Sequence, residues 1–110
     1  MISKRNLFTL EQIPGKKVTK VLGYVKGSTV QTKNIGRDIL AGLRTLIGGE
    51  ITSYTAMMTE ARQIATERLL LEAEEMGANA ILCFRLQTSQ VMSGAAEIIA
   101  YGTAVILEDQ

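Results

Sequence analysis

Residues 80–87 and 95–107 each read as a β-strand with apolar side chains on both faces, which restricts what 110 residues can build. In the first, Ala80, Leu82, Phe84 and Leu86 alternate with Ile81, Cys83, Arg85 and Gln87. In the second, Ala96, Ile98, Ala100, Ala104 and Ile106 lie on one face; Ile99, Tyr101, Val105 and Leu107 lie on the other. Met92-Ser93-Gly94 supplies a turn between them, so the pair forms an antiparallel hairpin, and Gly102 marks a bend. A strand that is apolar on both faces needs cover on both. Helices within so short a chain cover one face of a small sheet. The other face calls for a closed barrel or a second subunit.

The remainder of the chain provides the first layer of cover. A short apolar piece, Leu7–Ile13, ends at the Pro14-Gly15 turn. Lys16 to Val30 has a β pattern, with Val21, Gly23 and Val25 on one face and Lys20, Leu22, Tyr24 and Lys26 on the other. Gly23 and Gly27 within it predict a bulge, a bend or a close backbone approach. A first helix is expected from about Ile35 to Ile47, capped by Asn34 and stopped at Gly48-Gly49. A second should run from about Ser53 to Met76 and end at Gly77. Its core stripe is Tyr54, Met57, Met58, Ala61, Ile64, Ala65 and Leu69. Leu70 falls among Gln63, Glu67 and Glu74 on the face expected to be wet, and Leu71 lies at the stripe's edge. A helix with two apolar sides has two neighbours, the second supplied here by another subunit. The expected architecture is therefore a single α+β domain of order β-α-α-β-β, two-layered, over residues 1–110.

Composition removes several functional classes. There is no His, so a histidine-based triad and a His-ligated zinc site are excluded. The single Cys cannot form an internal disulfide or a paired-thiol motif. A net charge of +1 conceals a division. Residues 1–48 hold nine basic and two acidic groups, net +7; residues 49–110 hold three basic and nine acidic, net −6. Such halves neutralise each other within a subunit or meet head to tail between subunits. With aromatic residues at 5% and no RNA-binding motif, nucleic acid is not an expected partner. No secretory leader is expected from Met1–Thr9, which has no apolar stretch after its basic residues. No membrane span is expected without a run of about 18 apolar residues. A lone Cys83 suits a reducing compartment, and cytoplasmic location is expected.

Candidate sites are sparse. Gly48-Gly49-Glu50 lacks the lysine of a phosphate loop and reads as a helix stop. Glu97, flanked by Ala96 and Ile98, must be paired, lie at an edge or line a polar cavity. Arg68 and Glu72 are spaced for an i,i+4 ion pair. Cys83 reads as a small core hydrophobe, and only Met57, Met58 and Cys83 offer soft donors for a metal. An enzyme built on carboxylates would draw on Glu50 or Glu97 with Tyr54.

In order along the chain stand Thr32-Lys33-Asn34-Ile35-Gly36-Arg37-Asp38, Ala41-Gly42-Leu43-Arg44 and Ile47-Gly48-Gly49. Tyr54, Ala61-Arg62, Gly77-Ala78-Asn79-Ala80-Ile81 and Tyr101-Gly102-Thr103-Ala104-Val105 follow. This ordered set resembles the YbjQ family, small bacterial and archaeal proteins of unknown function that carry a heavy-metal-binding label. The resemblance implies a subunit that assembles with copies of itself into a ring, a pentamer. It adds Arg37, Asp38 and Arg62 to Glu50, Tyr54 and Glu97 as candidate ligand-binding residues. Leu70, Leu71 and Tyr101 are the candidate interface residues. The resemblance supplies no catalytic residue and no cofactor, and the absence of His with a single Cys leaves no metal ligand set to carry over. The function expected is that of a non-enzymatic, cytoplasmic homo-oligomer holding a small ligand at subunit boundaries, with metal binding as the alternative.

Overall fold

The computed structural model describes residues 2–32, 50–92 and 95–110. The helix expected over Ile35–Ile47, its Asn34 cap, the Gly48-Gly49 stop and the Ser93-Gly94 turn lie outside the described residues. A short 3₁₀ turn, Lys4–Asn6, is followed by strand β1 (Lys16–Thr32), helix α1 (Glu50–Glu75), strand β2 (Ala80–Met92) and strand β3 (Ala95–Asp109). The strands form one antiparallel sheet in the order β1-β3-β2, with β3 central. Helix and sheet make a small α+β domain, and β2-β3 is the expected C-terminal hairpin.

Small residues let the helix approach the sheet closely. Val25, Ile98, Ala100 and Ala104 are fully buried, as are Ala61, Ala65, Leu69 and Ala73 of α1 in the same cluster. A Cβ built on Gly27 would lie 2.2 Å from the Ala65 carbonyl oxygen and 2.3 Å from the Leu69 amide nitrogen. Gly27 is thus the point where helix backbone rests on strand backbone. The close approach expected of a glycine in this strand is found there.

Helix α1 starts at Glu50, three residues before the expected Ser53, and stops where glycine permits. Gly77 adopts φ +84°; its amide donates to Glu74 O and the Ala78 amide to Ala73 O, the paired bonds of a Schellman end. Leu70 corrects the expectation of a wet face. It is buried in the main core with Ile2, because the N-terminal segment folds over this side of α1 and the Ile2 amide donates to Glu74 Oε1 at 2.7 Å. Leu71 remains exposed.

Bulges correct two face assignments. The register between β1 and β3 slips between Val21 and Gly23, so Val21 and Val25 do not share a face: Val21 is 64% exposed and Val25 is fully buried. In β2 the register slips between Leu82 and Arg85, and Cys83 takes φ 56°. Ala80 and Leu82 therefore pack in a second cluster with Val105, while Phe84 packs against the helix-side core. Near its start β2 is buried on both faces, as its composition predicts.

Candidate functional site

One face of the sheet lies under α1; the opposite face displays two of the candidate residues, Glu97 and Tyr101. Residues directly opposite one another across a ladder share a face. The pairs Val21↔Val105, Tyr24↔Thr103, Lys26↔Tyr101, Ser28↔Ile99 and Val30↔Glu97 define this face, helix-free among the described residues, along β1 and β3. Arg85↔Tyr101, Gln87↔Ile99 and Ser89↔Glu97 extend it to β2. Glu97 and Tyr101 are thus on one surface, both half-buried on β3. Val21, Tyr24 and Val30 are exposed around them, at 64%, 62% and 50%.

The N-terminal segment covers one end of this surface. Leu7 forms a parallel bridge with Ile81; the Phe8 amide donates to Ile81 O and the Phe84 amide to Phe8 O, both at 2.9 Å. The Cys83 amide donates to Leu10 O, and the Arg85 guanidinium to Thr9 O at 3.0 Å. Phe8 and Ile13 cover Ala80, Leu82 and Val105 here, with Cys83 and Leu107 packed beside them. Residues 11–15, the start of β1 and the end of β3 enclose an open cleft of about 640 Å³ lined by Ile13, Lys16, Leu107 and Gln110. A second cleft of about 480 Å³ lies between the N-terminal segment and α1. Ile2, Lys4, Glu67, Leu70, Leu71 and Glu74 line it.

Helix side chains treat the outer edge of β1 in a way that spacing did not reveal. Arg68 and Glu72, expected to pair with each other, bond instead to β1 backbone. The Arg68 guanidinium donates to Ser28 O at 2.6 Å, and the Lys26 amide donates to Glu72 Oε2 at 2.7 Å. They satisfy two backbone groups of a strand that, among the described residues, is at the sheet edge. Among the described residues the ion pair is Lys16–Asp109, which ties the ends of β1 and β3. The hydrogen bond from Lys16, then its charge, holds the Asp109 carboxyl below its ordinary range.

Asn79 also has a role that sequence reasoning left open. Its Nδ2 donates to Leu107 O at 2.9 Å and its Oδ1 accepts from the Leu107 amide at 2.8 Å. Its side chain therefore prolongs the β2-β3 ladder just ahead of Ala80. An asparagine preceding a strand and following a helix-ending glycine is the signal that could have suggested it.

The remaining candidates are dispersed. Arg62 is exposed on α1, donating to Thr59 Oγ1 at 3.3 Å. Arg37 and Asp38 lie outside the described residues, as do the side chains of Glu50 and Tyr54 at the start of α1. The soft donors are separated: Met57 and Met58 belong to the helix-side core, Cys83 to the cluster on the opposite face. Among the described residues no group of three His, Cys, Asp or Glu side chains is placed to hold a metal ion. No helix among them is long and apolar enough to cross a membrane.

A three-stranded antiparallel sheet with a helix on one face, and apolar side chains displayed on the other, defines a small α+β protein. The chain belongs to the YbjQ family, whose model, described as "Putative heavy-metal-binding", matches residues 6–108. It is 61% identical over 104 residues to a UPF0145 protein of Halalkalibacterium halodurans, covering 94% of this chain and 98% of that one. A UPF0145 protein of Clostridioides difficile is 55% identical over 103 residues, covering 94% and 92%. A UPF0145 protein of Thermus thermophilus is 59% identical over 100 residues, covering 91% and 88%. A crystal structure of a DUF74-family protein of unknown function from Pediococcus pentosaceus matches with TM-score 0.48 at 14% identity, covering 93% of this chain and 96% of that one. The names of these UPF0145 relatives indicate no specific function. The donor set described above does not fit the metal of the family description.

Proposed function

We propose that the protein is a non-enzymatic subunit of a cytoplasmic homo-oligomer, a ring that holds a small ligand where copies meet. The observation that carries this reading is the helix-free sheet face. Val18, Val21, Tyr24 and Val30 of β1 are 41–64% exposed there, beside half-buried Ile99, Tyr101 and Leu107. Apolar side chains gathered on one sheet face, rather than scattered singly, mark a surface that association buries. Resemblance to the YbjQ family supports a ring of five, and a single free cysteine suits a reducing compartment. Glu97 and Tyr101, half-buried on that face, are the polar groups that a ligand at a subunit boundary would meet. Native mass spectrometry tests the assembly. The expected spectrum shows a discrete multiple of the 12.0 kDa chain, whereas the monomer alone would overturn the reading.

A further inference from the structure

We infer that the ring interface is heterologous: the helix-free sheet face around Tyr24 and Lys26 of one copy docks on the outer face of α1 around Glu67 and Leu71 of the next. This rests on the self-assembly reading and specifies the two surfaces it joins.

The two surfaces match in chemistry. Glu60, Glu67 and Glu74 recur every seventh residue along α1, so they line one side of the helix away from the fully buried Ala61, Ala65 and Leu69. Leu71, 57% exposed, stands beside this acidic line. The cleft between α1 and the N-terminal segment opens at the same place, its floor made by Ile2, Leu70 and Leu71 and its rim by Glu67 and Glu74. Opposite in character, the sheet face carries Lys26 of β1 and Arg85 of β2 on either side of Tyr101, with Glu97 farther along β3. Lys16 is paired with Asp109 and Lys17 lies across from Glu108. Lys26 stands across from Tyr101, on the same face as Tyr24, with no carboxylate directly opposite.

Tyr24 is 62% exposed on a strand whose neighbours at Val25 and Gly27 are buried. A projecting aromatic ring beside a cation suits an apolar cleft with an acidic rim, the arrangement by which an anchor residue fills a pocket while charge fixes its register. The two surfaces differ, so each copy has one of them left over in a head-to-tail contact, and a rotation that closes joins these into a ring. It gives each sheet a helix on both faces: its own α1 on one, the next copy's on the other. It also gives the +7 and −6 halves of the chain a place to meet.

Sedimentation velocity on the full chain at micromolar concentration tests this with Lys26→Glu, Glu67→Lys, the double variant Lys26→Glu/Glu67→Lys, and Tyr24→Ala, each checked for its fold by circular dichroism. Each single charge reversal should weaken association about tenfold or more, and the double variant should regain the wild-type sedimentation coefficient. Tyr24→Ala should weaken association at any salt concentration, whereas the charge variants should matter less at high salt. Wild-type assembly left unchanged by all three single substitutions would overturn this interface while leaving the self-assembly reading intact. A wild-type monomer would overturn both. Weakening by both charge reversals without recovery in the double variant would also overturn it, because the charges would not be facing each other.

Discussion

Among the described glycines Gly27 has the least room for a side chain, with helix backbone at 2.2 and 2.3 Å from where a Cβ would stand. Backbone cannot rotate away as a side chain tip can, so Gly27→Ala should destabilise the protein by about 3 kcal/mol or more in chemical denaturation, near the upper end for overpacking. Asn79→Ala removes both solvent-accessible bonds to Leu107 and should cost about 0.5–1.5 kcal/mol; Asn79→Asp keeps the acceptor and should fall between. Lys16 and Asp109 illustrate the opposite limit. Because the folded carboxyl lies below its ordinary range, its contribution is present at neutral pH and disappears as pH falls through the folded value. Both side chains are exposed, so Lys16→Met should return the Asp109 carboxyl toward the ordinary range in an NMR titration and leave thermal stability almost unchanged.

At the scale of elements, sequence periodicity located the strands and the long helix but not what each face meets. The stop at Gly77, the hairpin and the β pattern from Lys16 were legible because glycine and alternation act locally. Val21, Phe84 and Leu86 were placed on the wrong faces because a bulge inverts alternation beyond it, and the residue that bulges is set by the partner strand. Leu70 was misread for a related reason: its cover, Ile2, comes from 68 residues earlier in the chain, beyond the reach of any helical period. The two leucines offer a direct contrast. In the dissociated subunit, Leu70→Ala should cost about 2–4 kcal/mol of unfolding free energy, and Leu71→Ala within about 0.5 kcal/mol. Arg68 and Glu72 carry the same lesson, since spacing identified two mutual partners where the fold supplies an edge strand for each. The candidate site was legible only as a set of residues; that Glu97 and Tyr101 share the helix-free face follows from the register of β3, and the scatter of Arg62 and Cys83 was not readable at all.

For the whole molecule, the sequence feature with the widest reach is the pair of strands apolar on both faces. One face of each is accounted for within the chain, by α1 and, at one end of the opposite face, by the N-terminal segment. The rest of that face carries the self-assembly reading. The family's metal description has a separate test: inductively coupled plasma mass spectrometry of purified protein should find well below one metal per chain, with Cys83→Ser making no difference. The assembly itself is tested most directly by light scattering coupled to size-exclusion at micromolar concentration and physiological salt. The predicted result is a single species of several times 12.0 kDa that loses mass as salt is raised. A stable 12.0 kDa monomer under those conditions would contradict the account.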